Sequence, residues 1–301
     1  MPIPSVTAKS AGFSGHETFP FRYGWLPRGV QAVIKDPAIF SKDEALISLG
    51  VGKNMVRAIR HWCLAANLIK EVPKARGTYE PTELGWFLFA ETGADPYMED
   101  TATIWIVHSH IVRNLERCTT WYIAFNELIP PYFTKDQIAQ TVVEFLRKHD
   151  LSEPSVKSLL RDIDCFVRSY VMSGGNAKSI EDALDCPLVE LRLMAESESG
   201  FWRFNRGDKP SLPDVAFVYM LVSFWQDAKA DASLPFERLL HAPLSPGRVF
   251  QLSENALLSR LERVDEMTQG TFRLDTTIGM RQVLKLGPRM DPFDVLKKHF
   301  L

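Results

Sequence analysis

The stretch SKDEALISLGVGKNMVRAIRHWCLA (41–65), continued by ANLIKEVPKARGTYEPTELGWFLF (66–89), decides the fold. Ser41 and Glu44, three residues apart, read as a capping box at a helix start. Ala45, Leu46 and Leu49 give that helix a short apolar face, and Gly50, Val51 and Gly52 make a tight turn. The next helix is expected to start near Lys53. Its apolar positions, Met55, Val56, Ile59, Trp62, Cys63 and Ala66, form one stripe. The opposite face carries Lys53, Asn54, Arg57, Arg60 and His61. Leu68 to Val72 reads as a strand, Pro73 to Gly77 as a turn, and Thr78 to Glu80 as the return strand. Thr82 then opens a helix with Leu84, Trp86, Phe87 and Phe89 to bury.

Helix, glycine turn, helix and hairpin in that order predict a winged helix-turn-helix, whose second helix lies in the major groove. Between Lys53 and Arg76, six basic residues, Lys53, Arg57, Arg60, Lys70, Lys74 and Arg76, stand against the single acid Glu71. Such residues contact phosphates and supply salt-dependent affinity. Arg57, Arg60 and Asn54 also have side chains able to read guanine or adenine edges. Winged helices serve as protein-binding modules too, and a basic helix face can be plain solvated surface. Helix and hairpin being basic together favours double-stranded DNA.

Outward from this segment, the 301-residue chain is 46% hydrophobic and 24% charged, the profile of a globular protein. Its net charge of −2 makes any nucleic-acid binding the work of a local patch. The four cysteines, Cys63, Cys118, Cys165 and Cys186, lie far apart with no C-x-x-C pair. That pattern excludes the usual zinc ribbon and argues against a disulfide framework. The N-terminus has no signal-peptide run, and the longest apolar stretch, Val215 to Trp225, falls short of the roughly 20 residues of a bilayer span. A cytoplasmic protein without membrane association is expected.

The fold class expected is mainly α with small β-hairpin wings. Residues 1–39 would form an arm (loose over 1–12) and an aromatic packing segment, and 40–115 the winged helix-turn-helix domain. Residues 116–240 would be a helical domain, broken at Pro130-Pro131, Gly174-Gly175 and a loop over 196–213. Residues 241–301 would be a smaller helix-plus-strand part, with a helix opened by Ser253 and a β-prone run from Thr271 to Thr277.

Several short patterns carry chemistry. Gly50-Val51-Gly52-Lys53 hints at a phosphate loop, but Ile47 and Asn54 stand where glycine and Ser/Thr are needed. Asp214 with Asp227 and Lys229 mimics a restriction-type nuclease signature, although the residues between them read as one helix. Asp95, Glu99 and Asp100, with His108 two turns on, could hold Mg²⁺ if a helix begins near Asp95. Acids in a helix's first turn also simply offset its dipole. His16-Glu17, near Arg22, offers a metal ligand or base, or a structural pair. Arg203, Arg206 and Lys209 mix with aromatics in a loop, as phosphate contacts often do.

The strings GHETFPFRYGWLP (15–27), LGVGKNMVRAIRHWCLA (49–65), TELG (82–85), DPYMEDTATIWIVHSH (95–110) and TTWYIAFN (119–126) resemble a bacterial family filed as domain of unknown function 4007. The resemblance covers nearly the whole chain, densely over the first 130 residues. Within that family the chain is similar to the SspB-type subunits of single-strand DNA phosphorothioation systems. The resemblance implies antiphage defence and a Mg²⁺-dependent nick in one strand. It implies, as partners, a cysteine desulfurase, a sulfur-transfer enzyme and an ATPase.

Two classes of function follow. One is a nicking endonuclease, for which the candidates are the acids Glu17, Asp95, Glu99 and Asp100, with His16 or His108 for proton transfer. The other is a non-catalytic DNA-binding subunit that recruits the sulfur-transfer machinery. Symmetric DNA-binding proteins are commonly dimers, so a homodimer is an expectation in either case.

Overall fold

The computed structural model describes residues 10–172, 186–198 and 200–300. Most of the loose arm expected over 1–12, and the break expected at Gly174-Gly175, lie outside the described residues. The first helix among the described residues is α1 (Trp25–Lys35), followed by α2 (Glu44–Leu49) and α3 (Lys53–Ala65). Gly50, at φ 65°, turns the chain out of α2, a left-handed conformation that glycine adopts without strain. α3 starts at Lys53, as its periodicity predicts, and buries Val56, Ile59, Trp62 and Cys63. A hairpin, β1 (Ile69–Glu71) and β2 (Tyr79–Pro81), follows with Lys70 opposite Glu80. Next comes α4 (Glu83–Phe89), whose cap Thr82 accepts the Gly85 N–H at 3.0 Å.

The capping box expected at Ser41 does not form. Ser41 ends a 3₁₀ turn ahead of α2, and its hydroxyl donates instead to the Gly77 carbonyl at 2.8 Å, tying that turn to the hairpin. Asp43 precedes α2 without a side-chain cap.

Gly85 fixes the angle between hairpin and helix. A methyl there would sit 1.9 Å from the Leu68 carbonyl oxygen, a backbone atom that already accepts the Thr82 N–H. Gly85→Ala is therefore expected to lower stability by about 2 kcal/mol, the overpacking cost exceeding the helix-propensity gain of roughly 1. A urea melt unchanged or shifted upward would refute this packing account.

Further along come α5 (Thr101–Arg113), α6 (Thr119–Asn126), β3 (Tyr132–Phe133), α7 (Lys135–Lys148) and α8 (Val156–Tyr170). The chain then runs through β4 (Met194–Glu198), β5 (Phe201–Phe204), α9 (Asp214–Asp227), β6 (Ser233–Pro235), α10 (Phe236–His241) and α11 (Pro246–Val249). It closes with α12 (Glu254–Glu262), α13 (Val264–Met267), β7 (Phe272–Asp275), β8 (Gln282–Lys285) and α14 (Pro292–Phe300). The fold is mainly helical, with the small antiparallel sheets β3–β5–β4 and β6–β8–β7 besides the hairpin. α5 and α9 are apolar nearly all round, which places them inside and against each other. Trp105 of α5 satisfies its indole N–H on the Ser211 carbonyl, just ahead of α9. α14 lies along α9 and seats Phe293 and Phe300 against Phe87 of α4.

Ser253 caps α12 and the run from Thr271 yields β7, as expected. The loop expected over 196–213 instead contains the end of β4 and all of β5, because Trp202 and Phe204, two residues apart, turn one face of β5 inward and that strand is partnered on both edges. Asp214 and Asp227 end a single helix, about 20 Å apart at 1.5 Å per residue, and each is paired with arginine. The nuclease-like spacing there is coincidental. None of the four cysteines is in a disulfide, and all are buried. No described helix is long and apolar enough to cross a membrane.

Candidate nucleic-acid interface

α3 presents Lys53, Asn54 and Arg57 to solvent, with Arg60 partly covered. On the hairpin Lys70, Lys74 and Arg76 are exposed, and Lys70 pairs with Glu80 at 3.1 Å. His61 departs from this face. It is 7% exposed and packs its ring against His16 and Trp62. The reason is helical phase: His61 stands next to Trp62, so it shares the inward side. Burial holds its pKa well below the usual histidine value.

The segment ahead of α1 lies against this helix through an unusual turn. Ser14, Glu17 and Thr18 all take left-handed backbone, at φ 59°, 50° and 69°. Such conformations cost of order 1–3 kcal/mol each and persist only where surrounding bonds enforce them. The enforcing group is buried Asp162 of α8, whose Oδ1 accepts the Ser14 N–H at 2.6 Å and His16 Nε2–H at 2.7 Å. His16 Nδ1 in turn accepts the Thr18 N–H at 3.0 Å, and the Trp62 indole N–H donates to the Phe19 carbonyl. Burial opposes a charge on His16 while Cys165 and Asp162 favour one, the balance lying upward. The Thr18 N–H needs a lone pair on Nδ1, however, so the hydrogen-bonded geometry is that of the neutral ring donating from Nε2. The outcome of the turn is that His16 points inward and Glu17 outward. Glu17 Oε1 stands 3.4 Å from Arg57 Nη1, at the edge of the basic face.

The acids at 95–100 are arranged differently from the helical stack expected. α5 begins only at Thr101, because Asp100 is its N-cap and accepts the Ala102 N–H at 2.7 Å. Asp95 is 6% exposed and uses both oxygens on the backbone N–H groups of Glu99 and Asp100, at 2.8 and 3.1 Å. Asp100 also lies 3.1 Å from His299 Nε2 of α14. Glu99 alone of the three is exposed. His108 is fully buried, hydrogen-bonded to the Val249 carbonyl and the Tyr170 hydroxyl, so both ring nitrogens are engaged inside the core.

Arg203 and Arg206 are exposed on and beyond β5, but Lys209 turns inward, its ammonium bonded to the Asn205 carbonyl and its pKa pushed down to about 8 by burial. Among the described residues, no group of three or more His, Cys, Asp or Glu is set to hold a metal. Of the four candidate acids, Asp95 has both oxygens and Asp100 one committed to backbone N–H groups, whereas among the described residues no backbone bond engages the carboxylate of Glu17 or Glu99.

Two residues escaped the sequence reading. Asp162 sits in the apolar stripe of α8, between Leu159, Ile163 and Phe166, and a lone acid on a buried stripe was its visible signal. Arg117 follows α5 and reaches Glu71 of β1 at 2.8 Å, for which the sequence held none.

Residues 13–300 match a family model described as protein of unknown function (DUF4007). A crystal structure of magnesium ion-bound SspB is similar with a TM-score of 0.86 and 31% identity, over 96% of this chain and 88% of that one. A further SspB crystal structure gives a TM-score of 0.85 at the same identity and coverage. No curated protein sequence matches the chain. With the family model spanning the described fold from its first turn to its last helix, and the SspB architecture retained throughout, the chain belongs to the DUF4007 family.

Proposed function

We propose that this protein is a Mg²⁺-dependent DNA-nicking endonuclease of a bacterial DNA phosphorothioation defence system, with Glu17 the carboxylate at the scissile phosphate. The observation that carries the reading is Glu17 itself, held on a left-handed turn beside Arg57 of an exposed basic helix. Of the acids considered, it alone has a bond to that helix. α2, α3 and the β1–β2 hairpin serve as the winged helix-turn-helix, with Lys53, Asn54 and Arg57 toward the major groove. Similarity to the SspB structures, one of them magnesium-bound, supports a metal-assisted phosphodiester reaction.

Arg57 would grip a non-bridging oxygen of the phosphate. Glu17 would accept the proton of the attacking water, and the turn anchored on Asp162 keeps its position fixed. Glu17 would also be the residue to hold Mg²⁺, which would supply charge neutralisation and a more acidic water when bound. The competing reading is a non-catalytic subunit recruiting the cysteine desulfurase, sulfur-transfer enzyme and ATPase. The engagement of Asp95 in two backbone bonds and of Asp100 in capping supports it, since those acids are already used.

Incubation of the purified chain with supercoiled plasmid and Mg²⁺ tests the choice. Nicked circles that vanish with EDTA are expected; plasmid left supercoiled would sink the enzyme reading and leave the recruiting subunit. A second expectation concerns the interface. Lys53→Gln with Arg57→Gln should reduce the salt slope of duplex binding by about 2, near 0.9 for each phosphate no longer neutralised. An unchanged slope would mean that α3 faces a protein.

A further inference from the structure

A cleft of about 550 Å³ lies between the second half of α3, the hairpin and the loop after α5. Arg60, Arg76 and Arg117 line it, with Glu71 as the single carboxylate. Glu71 occupies only Arg117, at 2.8 Å, and both side chains stay about half exposed (59% and 42%). Among the described residues Arg60 and Arg76 have no ion-pair partner. Three guanidiniums brought together against one carboxylate repel one another, and an entering anion relieves that repulsion. Leu64 and the buried Tyr79 form an apolar wall that strengthens the local field.

Position narrows the anion. Arg60 follows Arg57 by one turn on the same helix, about 10 Å along the axis from Lys53. That is roughly the axial rise of three nucleotides along one DNA strand. Planar guanidinium forks match phosphate oxygens two at a time. We infer that this cleft is a phosphate clamp for one strand of duplex DNA, in which a backbone phosphodiester displaces Glu71 from Arg117 and is held by Arg60, Arg76 and Arg117. Glu71 is an internal stand-in for the phosphate, keeping the cleft neutralised in part until DNA arrives. An exposed pair of this kind contributes little to stability, so displacement is cheap. The clamp rests on the reading that α3 faces DNA and needs no nicking chemistry.

The test uses opposite signs. Glu71→Gln and Arg117→Gln break the same ion pair, so a merely structural pair would shift both variants the same way. A clamp separates them. With the full chain, EDTA present and a short duplex followed by fluorescence anisotropy against salt, Glu71→Gln should tighten binding about threefold. Arg117→Gln and Arg76→Gln should each weaken it and reduce the salt slope by about 1. Thermal melts of the variants near that of the wild type would establish that all are folded. Both partners weakening binding, or neither changing it while the wild type binds DNA, overturns the clamp and leaves the DNA reading standing. A wild type that does not bind DNA overturns both. Inorganic phosphate distinguishes the source: a phosphate-induced rise in melting temperature lost in Arg117→Gln, with duplex affinity unaffected by any variant, would make this a free-anion site and overturn the clamp.

Discussion

Glu17→Gln is expected to slow plasmid nicking by about 10²–10⁴-fold, the usual contribution of a positioned general base. The substitution leaves the fold in place. Glutamine keeps the side-chain length and accepts the same backbone conformation, and the exposed ion pair with Arg57 that it removes contributes roughly 0–1 kcal/mol. Duplex affinity should rise slightly, because one negative charge leaves the basic face. A variant that binds DNA at least as well as the wild type, melts at the same temperature and no longer nicks would place the chemistry at Glu17. One that nicks at the wild-type rate would remove Glu17 from the reaction and move attention to exposed Glu99. Disrupting Asp162 is a poor substitute experiment, since it is buried and holds Ser14 and His16 together.

The second large effect is loss of stability in mild acid. Burial pushes His108 down to about 4, its hydrogen bond to the Val249 carbonyl working the other way. His61 is also held well below its ordinary value, and His110, hydrogen-bonded to Tyr219, is shifted in the same direction. The folded-state values are depressed below the unfolded value of about 6.5, so between them the unfolded chain binds more protons. Stability is then fully present above that pH and falls as pH drops. Each such histidine contributes up to about 1.4 kcal/mol per pH unit, and His108 alone about 3 kcal/mol by pH 4. His16 is left out of this count because Asp162 acts there against burial. Urea melts between pH 6.5 and 5, a window in which ordinary carboxylates stay largely ionised, should show stability falling steeply, and His108→Gln should remove about one proton from the slope. Stability flat across that window would refute the account.

The sequence by itself determined the mainly helical class and the order of elements from 41 to 89. Those features rest on local physics: the 3.6-residue period of α3, the glycine turn before it, and the Thr82 cap. It also determined which strings mark the family. Boundaries slipped where one polar side chain had two partners to choose from. Ser41 took the Gly77 carbonyl over a helix cap, and Asp100 over Asp95 became the cap of α5. What only the tertiary structure decided is which chemical groups share a place. His16 meets Asp162 across 146 positions, and Arg117 meets Glu71 across 46. No local period encodes such pairs, because they depend on how α8 meets the segment ahead of α1 and how the loop after α5 meets the hairpin. The same packing left Glu17 at the edge of the basic face. Chain-local forces made the helix that faces outward; burial of distant side chains chose the acid beside it.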